Sequence, residues 1–231
     1  MRPLFIISTA VAAALLAGCQ PRWVTILDKV GCDPPCWRGI VPGQTSREDI
    51  FEILANTPDV APSTIQAVAP WGAFSHRVIF HLRSGVSAEV SLLDGRASVI
   101  TFNRRLGLTF DQATAVLGQP ELVQTDLTMC SPPFPLPGDG VCTVVVALAP
   151  SAGFRLRALI RGDPSQSELE PSTIVESVAF WDSLDFETLM AAGQLAISHG
   201  SSQDPLEVMH LWSGYGKVWE LYPPKSPVDI E

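Results

Sequence analysis

The sequence predicts an α+β fold of tandem repeats, in which a short helical segment packs on a three-stranded antiparallel sheet, followed by C-terminal helices. Two capped helical segments begin about 64 residues apart, at Thr45 and Thr109. Strand-like runs with alternating apolar residues follow each helix, and turn signals separate the runs. These observations together indicate a helix–strand–strand–strand unit that is used twice.

The first predicted helix follows the segment Pro42-Gly43-Gln44-Thr45. Thr45 is a good N-cap residue, and Glu48, three residues later, completes a capping box. Apolar residues then recur at helical spacing, until Asn56 and Pro58 end the pattern.

The second predicted helix has the same signals in a shorter segment. Thr109 is the expected N-cap and Gln112 completes its capping box. Gly118 supplies a C-terminal cap, and Pro120 prevents the helix from continuing.

Three predicted strands follow each helix. The Asp94-Gly95 pair between two of them is a strong hairpin signal. In residues 154–161, apolar side chains alternate with Arg155, Arg157 and Arg161, which is typical of a half-buried antiparallel sheet. The runs cover residues 71–82, 86–93 and 96–102 in the first unit, and 142–148, 154–160 and 173–181 in the second.

The N-terminus predicts a lipid anchor. Residues 4–17 carry no charge and as a helix would span roughly 21 Å, less than the roughly 30 Å of a bilayer core. They are therefore a secretory segment, which ends in the lipobox tetrapeptide Leu16-Ala17-Gly18-Cys19. We expect cleavage before Cys19, acylation of its thiol, and attachment to the outer face of the cytoplasmic membrane or to the outer membrane.

The chain therefore divides into five predicted segments. Two interpretations of the last one remain open: a truncated third repeat that starts at Asp204-Pro205-Leu206-Glu207, or an unrelated terminal helix. The segments are a signal peptide (1–18), a tether (19–30), a first repeat (31–105), a second repeat (106–182) and a C-terminal helical segment (183–231).

The charge balance limits the partners. The net charge is −9, and removal of residues 1–18 with Arg2 leaves 14 basic and 24 acidic residues, or −10. An acidic chain of this kind is not expected to bind nucleic acid. The predicted partners are the lipid bilayer, through acylated Cys19, and proteins of the cell envelope.

Four cysteines remain when Cys19 is acylated, which is an even number in an oxidising compartment. Three connectivities are open, and the local pairs Cys32–Cys36 and Cys130–Cys142 are favoured. Disulfides are favoured over a zinc site in an exported protein. A redox-active site at Cys32 and Cys36 is also disfavoured, because three residues separate these cysteines, whereas redox motifs have two.

The sequence predicts no catalytic, cofactor or metal site. His76 and His81 are five residues apart on one strand, so their side chains face opposite sides. Ser198 and His199 lie in a segment that is typical of a polar loop between helices. We therefore do not expect an enzyme.

Four aromatic residues, Trp37, Trp212, Tyr215 and Trp219, lie beside loops and glycines. One interpretation is that they fill the core between repeats. The other is that they form a recognition patch on a concave sheet, because tryptophan and tyrosine are enriched at binding hot spots.

Pro42-Gly43-Gln44-Thr45 and Leu117-Gly118-Gln119-Pro120 resemble the two ends of the SmpA/OmlA (BamE-like) lipoprotein motif. The resemblance covers residues 38–181 and implies helical segments on three-stranded sheets. β-Lactamase inhibitor protein is similar, because it is a tandem of two such units with a concave sheet. The expected function is a non-enzymatic protein-binding or scaffolding lipoprotein; the alternative is a small-ligand-binding or enzyme-inhibitor-like module on the concave sheet.

Overall fold

Hydrogen bonds between neighbouring strands build one antiparallel sheet of nine strands. The computed structural model describes residues 24–27, 32–69, 76–103, 106–129, 141–191, 195 and 208–223. The strands are β1 (Gln66–Val68), β2 (Arg77–His81), β3 (Ser87–Leu93), β4 (Arg96–Asn103), β5 (Leu122–Met129), β6 (Val141–Ala149), β7 (Phe154–Arg161), β8 (Glu168–Leu169), β9 (Val175–Trp181), β10 (His210–Leu211) and β11 (Gly216–Lys217). Strands β8 and β11 form a separate two-stranded ladder.

The described helices are short, with four to ten residues each. Three 3₁₀ turns, at Pro62–Thr64, Pro164–Gln166 and Ser183–Asp185, lie in connections between longer elements. The helices are α1 (Val24–Leu27), α2 (Arg47–Asn56), α3 (Phe110–Leu117), α4 (Phe186–Ala191) and α5 (Val218–Leu221).

The strand order of the large sheet is β1-β2-β3-β4-β9-β7-β6-β5-β10. Strands β1 to β4, which follow α2, form one half, and β5, β6, β7 and β9, which follow α3, form the other. Strand β4, the last of the first half, pairs with β9, the last of the second half. This ladder runs from Val99 opposite Trp181 to Asn103 opposite Ser177. The two halves therefore share one continuous sheet.

The predicted α+β class, with helices on three-stranded sheets, is wrong: the structure is mostly β, with few short helices. Each half has a fourth strand, β1 or β5, which the sequence analysis missed. In addition, β4 is an internal strand and not an edge strand. Its pairing with β9 satisfies backbone N–H and C=O groups that would otherwise be exposed.

Helices α2 and α3 pack on the same face of the sheet. Ile50 and Leu54 of α2 lie in one hydrophobic cluster with Phe110 and Ala113 of α3. Because neighbouring residues in a strand point to opposite faces, the remaining strand positions form a second face. We call this second face the open face.

The first helix starts one residue later than predicted. Ser46 is the N-cap, and its hydroxyl accepts a hydrogen bond from the Asp49 N–H (3.2 Å). The Thr45 hydroxyl is already used, because it accepts from the Val41 N–H at 2.7 Å inside the preceding turn. At the second helix the prediction is confirmed, since Gln112 Oε1 accepts from the N-cap N–H.

Residues on both sides of the two halves are folded into the structure. Within the predicted tether (19–30), Ile26 and Leu27 of α1 are buried in the core. Within the predicted C-terminal helical segment (183–231), residues 218–221 form the helix α5, whereas His210–Leu211 is a strand that pairs with β5. The proposed start of a third repeat, residues 204–207, lies outside the described residues.

Gly153, in the turn between β6 and β7, has no room for a side chain. Its φ is +69°, and an added Cβ would lie 2.2 Å from the Trp181 carbonyl oxygen. Gly85 has a φ of +86° with nothing within 4 Å, so it shares the conformation without the crowding.

We expect Gly153→Ala to lower the free energy of unfolding by about 3 kcal/mol or more, because crowding adds to conformational strain. Gly85→Ala, the matched control, should cost only about 1–2 kcal/mol from the left-handed conformation. Urea unfolding of the full chain, followed by tryptophan fluorescence, measures both. Equal losses in the two variants would contradict the crowding seen at Gly153.

Candidate functional site

The open face carries a row of side chains that crosses the join between the two halves. Residues directly opposite each other in neighbouring antiparallel strands point to the same face. One such row runs from Glu89 on β3 through Thr101 on β4 and Ala179 on β9 to Arg155 on β7. The row depends on the β4–β9 ladder, so neither half contains this arrangement by itself.

Two ion pairs flank the row. Arg77 Nη1 lies 3.2 Å from Glu89 Oε2 and links β2 to β3. Arg157 donates to Glu176 and links β7 to β9. The four side chains are 26–35% exposed, and pairs of such exposure contribute at most about 1 kcal/mol of stability each. Their main consequence is that both carboxylates already have a cation.

Arg155 lies between these pairs without a counter-ion among the described residues. Its Nε is buried and has no hydrogen-bond acceptor, and the register places it beside Leu148 and Ala179. Burial lowers the pKa of Arg155 to about 10; the charge of Arg157 adds to this effect and that of Glu89 opposes it. At neutral pH the guanidinium is still protonated, so the face holds a half-buried positive charge.

The open face is covered unevenly. Leu189 and Met190 of α4 pack with Trp181 in a second hydrophobic cluster over the half that contains β6, β7 and β9. The Phe186 ring stacks on Trp181 with 6.1 Å between ring centroids. In the other half, β2 and β3 alternate between buried and partly exposed residues. Arg155 lies on β7 in the covered half, and it keeps part of its surface accessible.

The structure does not bring the four predicted aromatic residues into one patch. Trp37 is only 2% exposed and belongs to the core on the helical side of the sheet. Its ring centroid lies 5.6 Å from that of Phe80 and 5.1 Å from that of Phe102. Trp219 lies in α5, with a buried Nε1 that has no hydrogen-bond partner.

Trp212 and Tyr215 do contact each other, with 5.6 Å between ring centroids. Trp212 also stacks on Phe110 of α3, at 6.0 Å, and on Tyr222, at 6.2 Å. Both predicted residues are partly buried against the main core. This aromatic cluster, on the helical side of the sheet, holds the C-terminal segment against α3.

The cysteines brace two separate places. Cys32 and Cys36 form a disulfide. Cys142 is also disulfide-bonded, and its partner lies outside the described residues. Cys19 and Cys130 lie outside them too, so acylation of Cys19 and the pairing of Cys130 with Cys142 stay predictions.

A groove of about 640 Å³ runs beside α2. Arg38 lies in its wall and its Nη2 is 2.7 Å from Asp59 Oδ2. Asp49 and Glu52 of α2 also line the groove. The groove is a separate surface from the row around Arg155, because α2 lies on the other face of the sheet.

The histidines do not form a site in the described part of the chain. His76 and His81 are exposed, and His210 Nε2 contacts the Pro223 carbonyl oxygen at 2.7 Å. His199 lies outside the described residues. Within the described ranges, no three His, Cys, Asp or Glu side chains are grouped so that they could hold a metal ion. No helix among the described residues has the length and apolar character needed to cross a membrane.

Comparisons with protein-family models, with curated proteins and with solved structures find no match to the chain. The resemblance to BamE-like lipoproteins therefore stays a prediction from two short motifs.

Sequence reasoning missed the row around Arg155. Arg155 and Arg157 were visible only as the polar positions of an alternating strand. That signal shows that they share a face, but it does not show which of them has a carboxylate partner. The partners Glu89 and Glu176 lie on other strands, and only the register brings them near.

Tyr222 is the polar centre of the aromatic cluster. Its hydroxyl donates to the Gly214 carbonyl at 2.7 Å and accepts from the Ser213 N–H at 3.0 Å. Burial raises the pKa of Tyr222 above its ordinary value of 10.0, against the opposing effect of these two hydrogen bonds. The neutral phenol is therefore the form that the fold favours.

We expect Tyr222→Phe to destabilise the protein by about 1–2 kcal/mol at neutral pH, because both hydrogen bonds are lost. Since the folded pKa is the higher one, wild-type stability should fall as the pH rises above about 10, where the unfolded phenol ionises first. The difference between the two proteins in urea unfolding should therefore shrink at high pH. A constant difference across this range would show that Tyr222 does not titrate as proposed.

Proposed function

We propose that this chain is a non-enzymatic binding protein of the cell envelope, held at a membrane by a lipid on Cys19. In this proposal the open face of the sheet contacts a partner protein. The lipobox supports the anchor, and the architecture supports the binding role, because a broad sheet face with a polar centre is suited to another protein surface.

The observation that carries the binding role is the uneven cover of the open face. Sheets with two buried faces are covered on both sides, whereas here β2 and β3 keep partly exposed positions beside a half that α4 covers. Their partly exposed positions include Ser87, Glu89 and Ser91. We infer that this surface is kept accessible for a partner.

The proposed anchor also places the domain close to the bilayer. Only residues 20–23 separate Cys19 from α1, whose Ile26 and Leu27 are in the core. From Cys19 to Val24 the chain can span at most about 18 Å, even when fully extended. In this proposal the domain therefore meets partners that are themselves at the membrane surface.

We expect Cys19→Ala to abolish incorporation of labelled fatty acid and to release the protein from the membrane fraction, because two or more acyl chains provide durable anchoring. Gln20→Ala, next to the cysteine, is the matched control and should behave as wild type. Labelled palmitate in live cells, followed by fractionation, measures both effects. A Cys19→Ala protein that is still labelled and membrane-bound would refute the anchor.

We expect a photo-reactive benzoylphenylalanine at Ser87 or Ser91 on the open face to form the same discrete protein adduct in cells. The same group at Glu52, which is exposed on α2 on the other side of the sheet, should not form it. Gel analysis after irradiation compares the three positions. Absence of an adduct at both serines, or an equal adduct at Glu52, would refute binding through the open face.

A further inference from the structure

The open face has one positive charge in excess around its central row. The pairs Arg77–Glu89 and Arg157–Glu176 are each neutral, so Arg155 is the uncompensated member of the five charged side chains. The chain as a whole has a net charge of −9. A local positive site on an acidic protein cannot result from general composition.

A fully enclosed guanidinium nitrogen needs an acceptor. Arginine presents five N–H donors, and a buried donor without a partner destabilises the folded state. The Nε of Arg155 is in that position, while the residue as a whole keeps part of its surface accessible. A ligand can therefore reach the guanidinium without entry into the core.

No carboxylate of the row is placed to pair with Arg155. Glu89 is three strands away, about 14 Å between backbones at the usual strand spacing, and Arg77 already engages it. Thr101 and Ala179 stand between them and carry no charge. Glu176 is engaged by Arg157. Among the described residues, Arg155 thus has no paired carboxylate, and its guanidinium can accept an anion from outside.

We propose that Arg155 binds a carboxylate from an aspartate or glutamate side chain of the partner protein. This inference rests on the proposed function, because it names the chemistry by which that partner is recognised. A guanidinium forms paired hydrogen bonds with a carboxylate, and such charge-assisted bonds are among the strongest at protein surfaces. Aspartate or glutamate on the partner thus supplies the missing acceptor and counter-ion together.

The charge around Arg155 selects a single negative charge. One carboxylate neutralises the excess of one positive charge, whereas a phosphate dianion would leave an excess of one negative charge. A long acidic segment is also disfavoured, since the chain carries a negative net charge. A lone acidic residue in a partner surface satisfies both conditions.

The test is an NMR titration of the full chain, purified in a neutral detergent, with the blocked tripeptide Ac-Gly-Asp-Gly-NH₂. We expect a saturable shift of the Arg155 Nε–H resonance, and affinity at least about tenfold lower for the Asn analogue Ac-Gly-Asn-Gly-NH₂. Equal affinity for the two peptides, no saturable shift, or tighter binding of inorganic phosphate would overturn the proposal.

Two variants separate binding from structure. In the wild type, the Asp peptide should also shift the amide resonances of the neighbouring Thr101 and Ala179, and Arg155→Met should abolish these shifts. The same variant should keep or raise the urea midpoint, because it removes an unpaired half-buried charge. Arg47→Met, which removes the same charge from the exposed start of α2, should bind the Asp peptide as wild type does. An Arg155→Met protein that is less stable, or that still binds the Asp peptide, would overturn the proposal.

The titration and the cross-linking experiment fail in different ways. If the adduct forms at Ser91 but the Asp peptide does not bind, the open face is a docking surface and the assignment to Arg155 is wrong. If the peptide binds but no adduct forms at either serine, the carboxylate site is real and the protein-binding function is wrong.

Discussion

The ladder between β4 and β9 is the interaction on which the rest of the structure depends. It joins residues 99–103 to residues 177–181, so it brings together strands that are far apart in sequence. Through it, two four-stranded halves lose an edge each and share one core beneath α2 and α3. The same ladder places Glu89 and Arg155 in one row. Without it there would be two small sheets, each with an additional exposed edge strand and neither with the charge arrangement around Arg155.

The sequence shows most strands of this sheet but not how they join. Alternation and the Asp94-Gly95 turn locate β3, β4 and β7, because those signals lie within a few residues. Pairing of β4 with β9 has no such local signal. Its effect is seen only in the structure, where residues 97–102 are buried on both faces, as is typical of a central strand and not of an edge. Strand β5 was missed because Gln124 and Asp126 interrupt its apolar pattern.

The candidate site was less predictable than the fold for a physical reason. The aromatic residues attract attention in a sequence because tryptophan is rare and large, yet Trp37 fills the core and Trp212 covers α3. Arg155 is distinguished by a buried Nε that has no hydrogen-bond acceptor. That property can be recognised only when the positions of the surrounding side chains are known. Cys19 is the opposite case, because a lipobox is contiguous and can be recognised from four residues.

The junction of the two halves has a consequence for the symmetry of the surface. Two units that pair through the same last strand, in antiparallel register, have the geometry of a twofold-symmetric dimer inside one polypeptide. In a true homodimer every surface feature appears twice. A single polypeptide is free of that restriction, so one α4 shields one half while the other half keeps partly exposed positions. Joining the two halves in one chain thus permits a one-sided surface that a twofold-symmetric dimer cannot have.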